Sequence, residues 1–348
     1  MILGLLLAVA CGVSFGIFLA PLRVMKAWQW ENVWALWSIA AMFIGPLLFA
    51  MWTIPHYFQL NKFIGMPMLW LTLILGALAG TSGFLYAVTI PSIGLGLATA
   101  LNSGMCMAMS LVPLVVLHHK TLLRPGGMSA MLGVALSILG VTLCGMGGSL
   151  REAELNKNKN NDQQATVAGA EVPDRMSFVR SVVFCCLAGV ITSAFNLALA
   201  FPNPVINAAL RFGESEFAAS NAFTVLWLIG GGVSNLIYVF FKLRQNNTFQ
   251  RFSAPGWLPC AFWSVLMSAA FLFAMFAYTG SVSMMGSFGG VIAWGVSMAA
   301  MILASALWDL FMDKWTGVAA RAMVYGVGIL MAAIISLSFA QYFSQLEV

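Results

Sequence analysis

Charged side chains are scarce in this sequence. They make up 8% of its 348 residues, whereas a soluble globular domain carries about 25%. Hydrophobic residues make up 61% of the chain. So little charge excludes a water-exposed surface over most of the protein, and this composition is typical of a chain surrounded by lipid. We therefore expect a polytopic membrane protein.

Patterns typical of catalysis and metal binding are also missing. The six cysteines show no CxxC or Cys/His spacing, so they indicate neither a zinc site nor a disulfide framework. There is no HExxH or GxSxG motif, and no apolar run holds paired carboxylates. Basic stripes with interleaved aromatic residues are absent as well. We expect no enzyme, no cofactor, no metal and no nucleic-acid partner.

Long apolar runs are what the sequence does contain. A bilayer core of roughly 30 Å is crossed by about 20 apolar residues in a helix, and a helix satisfies its own backbone polar groups. The sequence predicts an all-α fold with ten transmembrane helices. Their predicted ranges are 2–22, 33–54, 68–90, 92–118, 128–148, 177–200, 216–241, 258–280, 283–308 and 318–343.

One polar stretch divides these helices into two sets of five. Residues 149–176 are predicted as a flexible cytoplasmic linker between 1–148 and 177–348. Short matches recur in the same order in the two parts; Tyr86 and Tyr278, for example, each stand eight residues before a glycine. Because five helices per repeat make the repeats antiparallel, we predict two inverted five-helix repeats.

Basic residues are unevenly distributed between the predicted loops. Only four of the 16 Lys and Arg residues lie in loops that follow even-numbered helices: Lys62, Lys120, Arg124 and Arg211. The positive-inside rule places the richer, odd-numbered loops in the cytoplasm. Both termini are then predicted to lie outside.

Candidate functional residues within the helices are mostly uncharged. Glu31, Glu216 and Asp309 are the candidates for proton coupling, and an interfacial charge is the alternative interpretation of each. An amide in hydrocarbon is costly unless it is paired. The uncharged polar residues therefore either join helices or line a cavity for a neutral polyol, where aromatic rings would face the C–H groups of a sugar. The candidate sugar-binding residues are Phe15, Ser82, Tyr86, Thr99, Asn102, Ser103, Ser193, Asn196, Asn221, Phe276, Tyr278 and Trp294.

A run rich in tryptophan follows the first helix and comprises Ala20-Pro21, Lys26, Trp28, Trp30, Glu31 and Trp34. This run resembles the one found in the bacterial L-rhamnose–proton symporter family. The similarity continues in order along nearly the whole chain, through Tyr86, Gly133-Val134, Gly230 to Gly232, Asn235, Tyr278 and Trp294. The tryptophans alone would indicate either an interfacial aromatic belt or a gate.

This resemblance implies a drug/metabolite transporter-like fold in the bacterial inner membrane. It also implies transport of L-rhamnose or a related monosaccharide with a proton, so the expected partners are a sugar, protons and the lipid bilayer. An exporter or exchanger of another small polar metabolite, without proton coupling, is the alternative within transport. A membrane-embedded enzyme or receptor is the alternative outside it. The oligomeric state stays open.

Overall fold

The computed structural model describes residues 2–93, 95–117, 119–162, 178–286, 289–312 and 315–346, and within these ranges it contains helices and no strand. Ten helical segments there are long and apolar enough to cross a membrane. They are Ile2–Leu22, Trp30–Thr53, Met66–Ile90, Ala100–Leu117, Pro125–Arg151, Phe178–Phe212, Glu216–Gln245, Trp257–Met284, Gly289–Trp308 and Gly317–Phe343. The prediction of an all-α membrane protein with ten spans is confirmed.

In the described ranges, fifteen α-helices make up these spans and their connections. In the first part of the chain they are α1 (Ile2–Ile17), α2 (Trp30–Ile39), α3 (Gly45–Thr53), α4 (Tyr57–Ile64), α5 (Met66–Gly80), α6 (Ser82–Ile93), α7 (Leu95–Ser110), α8 (Val112–Leu117) and α9 (Pro125–Asp162). In the second part they are α10 (Phe178–Ala200), α11 (Pro204–Phe212), α12 (Glu216–Gln245), α13 (Trp257–Met284), α14 (Gly289–Met312) and α15 (Gly317–Leu346). A π-helical turn, Ala40–Ile44, joins α2 to α3.

Two short helices, α4 and α11, were not predicted from the sequence. Asn203 starts α11, because its Oδ1 accepts hydrogen bonds from the backbone N–H of Val205 at 2.9 Å and of Ile206 at 3.3 Å. Pro204 occupies the first helical position, where a backbone N–H would have no partner within the helix, so the missing N–H of proline costs no hydrogen bond. Gly213 ends the helix in the left-handed conformation, with φ of 102°.

The helix α9 continues past the predicted end of its span. It runs from Pro125 to Asp162, so residues 149–162 of the predicted linker are helical and not flexible coil. The rest of that linker, 163–176, lies outside the described residues. Many of the added residues are good helix formers, such as Arg, Glu, Leu and Lys, and they contain no proline to stop the helix.

The chain forms two compact units. The first contains residues 1–81 and 194–301, and the second contains 82–193 and 302–348. Each unit therefore takes helices from both parts of the sequence. The division into inverted repeats at 1–148 and 177–348 stays a prediction.

Within the first unit, glycines let α5 and α12 touch along their backbones. A Cβ built on Gly76 would overlap the carbonyl oxygen of Trp227, and one on Gly230 would overlap that of Leu73. A similar approach joins α1 to α14, where a Cβ on Gly12 would overlap the carbonyl oxygen of Ser297. Small residues are the usual means of close helix packing in lipid. This rigid packing holds α12 and α14, which carry part of the candidate site.

Within the second unit, α9 and α15 meet along three glycines spaced seven residues apart. Cβ atoms on Gly133 and Gly140 would lie 2.6 Å and 2.8 Å from the Cγ atoms of Leu337 and Leu330. One on Gly147 would lie 3.0 Å from the carbonyl oxygen of Ala319. A repeat of seven keeps one face of a helix against its neighbour over several turns.

Candidate functional site

A buried group of neutral polar and aromatic side chains lies in the first unit. Tyr278 of α13 donates a hydrogen bond from its hydroxyl to Oδ1 of Asn196 on α10. Trp294 of α14 meets the Tyr278 ring edge-on, with the ring centroids 5.4 Å apart and an interplanar angle of 72°. Asn196 and Tyr278 are 0% and 1% exposed. Three helices therefore converge on one phenol–amide pair.

A second buried asparagine, Asn221 of α12, contacts Thr279, the residue that follows Tyr278 on α13. The Thr279 hydroxyl lies 3.0 Å from Oδ1 of Asn221 on α12. It also lies 3.0 Å from the carbonyl oxygen of Phe276. Asn221 and Thr279 are fully buried. Asn196 and Asn221, which belong to different helices, are thus engaged by successive residues of α13.

The side-chain nitrogens of Asn196 and Asn221 take no part in these hydrogen bonds. Neither Nδ2 atom has a hydrogen-bond partner within the described residues, and both are buried. An unsatisfied buried donor costs about 1–3 kcal/mol. Buried polar groups are usually paired, so two unpaired amides in one polar cluster are a mark of a site for a hydrogen-bonding ligand.

Phe195 connects this group to two further aromatic residues. Phe195 lies 5.9 Å from Tyr278, 6.0 Å from Phe223 and 5.8 Å from Trp227, measured between ring centroids. Sequence reasoning did not select them, although Phe195 directly precedes Asn196, and Phe223 and Trp227 share the helix of Asn221. Position on the same helix beside a buried amide was the signal that could have found them.

The rings of Phe276 and Phe15 point to other parts of the same unit. Phe276 stacks on Phe49 at 3.6 Å between centroids and lines an apolar pocket of about 400 Å³ together with Leu7, Phe217 and Met284. The Phe15 ring contacts Phe271 at 5.6 Å. These two candidates therefore do not join the hydrogen-bonded group.

Six of the predicted site residues belong to the second unit. Ser193 is buried and donates to the carbonyl oxygen of Val190 at 2.7 Å, within its own helix. Asn102 has a buried Oδ1 without a partner among the described atoms. Ser103 is buried, and Ser82 and Tyr86 are half-buried. The side chain of Thr99, another candidate, lies outside the described residues.

In the second unit, thiols help to join α7 to α10. Cys106 donates to the carbonyl oxygen of Gly189 at 3.2 Å, and Cys185 donates to that of Ala98 at 3.0 Å. A Cβ on Gly189 would lie 2.6 Å from the backbone oxygen of Asn102. Asn102 therefore stands on a tightly packed helix pair.

The two acidic candidates whose side chains are described occupy different surroundings. Glu31 is buried at the start of α2, and its Oε1 accepts hydrogen bonds from Thr248 Oγ1 at 2.8 Å and from Asn246 Nδ2 at 3.0 Å. These bonds tie α2 to the connection between α12 and α13. Glu216 is exposed at the first position of α12, where the helix dipole favours an acid. The side chain of Asp309 lies outside the described residues.

The tryptophans after the first helix form a stacked column. Trp34 stacks on Trp30 at 5.4 Å and on Trp37 at 4.8 Å, between ring centroids. Trp28 and Trp37 are buried against other apolar side chains of the first unit. A belt at the lipid interface would leave such rings exposed, so at least these two serve the interior packing.

Metal ligands are not gathered in the part of the chain that the structure describes. No group of three His, Cys, Asp or Glu residues there could hold a metal ion. The candidate site instead offers amides, a phenol, an indole and hydroxyls. Such groups bind neutral solutes by hydrogen bonds and ring contacts, and they provide no nucleophile paired with a base.

Comparison with known proteins identifies the family. The sequence profile described as L-rhamnose-proton symport protein matches residues 1–341. The chain belongs to this family. An L-rhamnose-proton symporter of Pectobacterium atrosepticum is 22% identical over 340 residues, which cover 94% of this chain and 95% of the relative. One from Yersinia pestis is 21% identical over 321 residues, which cover 90% of each chain.

Membership settles several expectations from the sequence. The resemblance noted at the tryptophan run is confirmed. A symport protein is a transporter, so the prediction that the chain is not an enzyme is also confirmed. Together with the ten spans, membership identifies a multi-pass membrane transporter.

Proposed function

We propose that this protein carries L-rhamnose or a related neutral monosaccharide across the bacterial inner membrane together with a proton. The names of its relatives support the sugar and the proton. The neutral character of the buried group around Asn196 and Tyr278 supports an uncharged, hydrogen-bonding cargo. The observation that carries the proposal is the pair of unpartnered amide nitrogens on Asn196 and Asn221.

In the proposed mechanism the sugar supplies the hydrogen-bond partners that these amides lack. The Nδ2 groups of Asn196 and Asn221 donate to hydroxyl oxygens of the sugar, which removes the cost of two unsatisfied donors. Tyr278 and Trp294 present ring surface to the apolar C–H groups. The sugar binds when the site is open to one side of the membrane and is released when it is open to the other side, which is the alternating-access mechanism.

The second unit has candidate sugar-binding residues of its own. Asn102 has a buried carbonyl oxygen free of partners among the described atoms, which is an acceptor for a sugar hydroxyl. Ser82, Tyr86, Thr99, Ser103 and Ser193 stay candidate contacts. We assign the proton to an acid of the chain, with Glu31, Glu216 and Asp309 as the candidates, and the termini to the outer side.

Uptake by vesicles reconstituted with the purified protein tests the proposal. Labelled L-rhamnose is expected to accumulate when an inward proton gradient is imposed and to equilibrate without accumulating when a protonophore removes it. Liposomes without protein are the control. Gradient-independent exchange of another polar metabolite would instead favour the exporter or exchanger, and failure to move any monosaccharide would reject sugar transport.

A further inference from the structure

The two polar ends of the Asn196 side chain are in different situations. Its Oδ1 already accepts the hydroxyl hydrogen of Tyr278, while its Nδ2 has no partner within the described residues and is buried. An amide nitrogen can only donate hydrogen bonds, whereas an amide oxygen can only accept them. The polar atom of Asn196 that has no hydrogen bond at all, and gains most from a ligand, is therefore the donor.

Tyr278 keeps the amide in this orientation. Its ring is held between Trp294 at 5.4 Å and Phe195 at 5.9 Å, measured between centroids. The phenol donates to the amide oxygen, so the oxygen of Asn196 faces Tyr278 and the nitrogen does not. A Cβ on Gly290 would lie 3.7 Å from Asn196 Oδ1, so α14 also lies close on the oxygen side. The Nδ2 atom of Asn196 is therefore the end of the amide that would meet a bound substrate.

We propose that Asn196 recognises its substrate by donating a hydrogen bond to an oxygen lone pair, and that the recognised hydroxyl does not donate to Asn196. The inference rests on the proposed sugar transport and adds the direction of one hydrogen bond. Tyr278 is a positioning residue in this scheme, because it fixes which end of the amide the sugar meets. The consequence is a specific tolerance: the recognised hydroxyl can lose its hydrogen but not its acceptor atom.

Deoxy and deoxyfluoro sugars separate these two properties. Fluorine is close to a hydroxyl in size and accepts hydrogen bonds weakly but cannot donate them, whereas removing the hydroxyl removes donor and acceptor together. Each ring hydroxyl of L-rhamnose is replaced in turn, and the analogues compete with labelled L-rhamnose for uptake. The measured quantity is the analogue concentration that halves uptake of the labelled sugar. At one ring position we expect this concentration to be within about threefold of the parent sugar's for the fluoro analogue and about tenfold higher for the deoxy analogue.

Two variants assign that position to Asn196. Asn196→Leu removes the donor, so the difference between the fluoro and deoxy analogues should vanish at that position alone. Tyr278→Phe frees Oδ1, so the parent hydroxyl can donate to it while fluorine cannot. In that variant the fluoro analogue should fall several-fold behind the parent sugar.

Asn235→Leu is the matched control. Asn235 is a buried asparagine of the same unit, but its Nδ2 already donates to the carbonyl oxygen of Gly231 at 3.2 Å and lies 3.3 Å from the sulfur of Met42. Its substitution should leave the analogue pattern as in the wild type. Size-exclusion profiles in detergent establish that each variant is folded.

The competition series on the wild-type protein decides the matter even if a variant fails to fold. Equal competition by the fluoro and deoxy analogues at every position, with L-rhamnose uptake intact, overturns the donor assignment and leaves sugar transport standing. Persistence of the fluoro–deoxy difference in Asn196→Leu overturns the assignment to this residue. Absence of uptake in the wild type counts against the proposed function itself.

Discussion

The hydroxyl of Tyr278 donates to the side-chain oxygen of Asn196, and one residue further along α13 the hydroxyl of Thr279 lies 3.0 Å from the side-chain oxygen of Asn221. Successive side chains of one helix thus engage asparagines from two other helices. In lipid, no water competes for these groups. The pairs fix α10 and α12 against α13 and leave the two amide nitrogens without a partner among the described residues.

Removing the Asn221 amide should weaken sugar binding. We expect Asn221→Ala to raise the KM for L-rhamnose uptake about tenfold, because one hydrogen bond to a buried ligand is worth about 1–1.5 kcal/mol. Thr279→Val removes only the hydroxyl that contacts Asn221 Oδ1 and keeps the side-chain shape. If the two act through one contact, the double variant should cost no more than Asn221→Ala alone. Additive losses would show that the residues act independently.

The spans and part of the site could be predicted from the sequence for one physical reason. Lipid excludes charge, so hydropathy marked the ten spans, and the cost of an amide in hydrocarbon singled out Asn196 and Asn221. The same logic missed α4 and α11, since eight or nine amphipathic residues produce no long apolar run. It also did not predict that α9 continues past its span, which ends at Arg151, as far as Asp162.

Aromatic residues were harder to place because the sequence holds so many. Phe276 and Tyr278 are two residues apart, which turns their side chains by about 200° around a helix of 3.6 residues per turn. One ring consequently stacks on Phe49, and the other meets Trp294. Both residues were predicted to bind sugar, whereas the helical period separates their side chains.

This separation predicts different effects for two aromatic substitutions. Trp294→Leu should raise the KM for sugar, because Trp294 contacts the Tyr278 ring of the proposed site. Phe276→Leu should leave KM within about twofold of the wild type and lower the melting temperature instead, since its ring packs on Phe49. Uptake kinetics and thermal melts in detergent measure the two quantities. A large KM effect in Phe276→Leu would return that residue to the site.

A larger side chain at Gly76 should destabilise the first unit. Any Cβ there overlaps the backbone carbonyl of Trp227, which cannot move as a flexible side chain can. We expect Gly76→Val to lower the yield of folded protein and the melting temperature, with a cost of about 1–3 kcal/mol or more. Gly83→Val is the control, because nothing lies within 4 Å of a Cβ built on Gly83. Equal stability of the two variants would contradict the close helix contact.

The orientation in the membrane is a prediction that reporter fusions can check. The basic bias of the loops places both termini outside. A reporter that fluoresces only in the cytoplasm should stay dark when fused after the last helix and should fluoresce when inserted between α12 and α13, near Lys242 and Arg244. A fluorescent C-terminal fusion with a dark internal one would reverse the topology.

Glu31 should prove to be a structural carboxylate and not the proton carrier. Its Oε1 already accepts from Thr248 and Asn246, and Asn32 adds a bond to the Thr248 carbonyl oxygen at 2.9 Å. Glu31→Gln keeps an acceptor oxygen, so it should keep gradient-driven uptake and most of the stability. Glu31→Ala leaves the buried Thr248 hydroxyl without its acceptor, which costs about 1–3 kcal/mol, and should lower the melting temperature.

Comparing the melting temperature with gradient-driven accumulation distinguishes a structural role of Glu31 from a role as proton carrier. A proton carrier must release and bind a proton during transport, which glutamine cannot do. Loss of accumulation in Glu31→Gln at an unchanged melting temperature would therefore identify the carboxylate as the coupling group. Retained accumulation would direct attention to Asp309, whose substitution by asparagine should then abolish gradient-driven accumulation while sugar exchange between the two sides of the membrane continues.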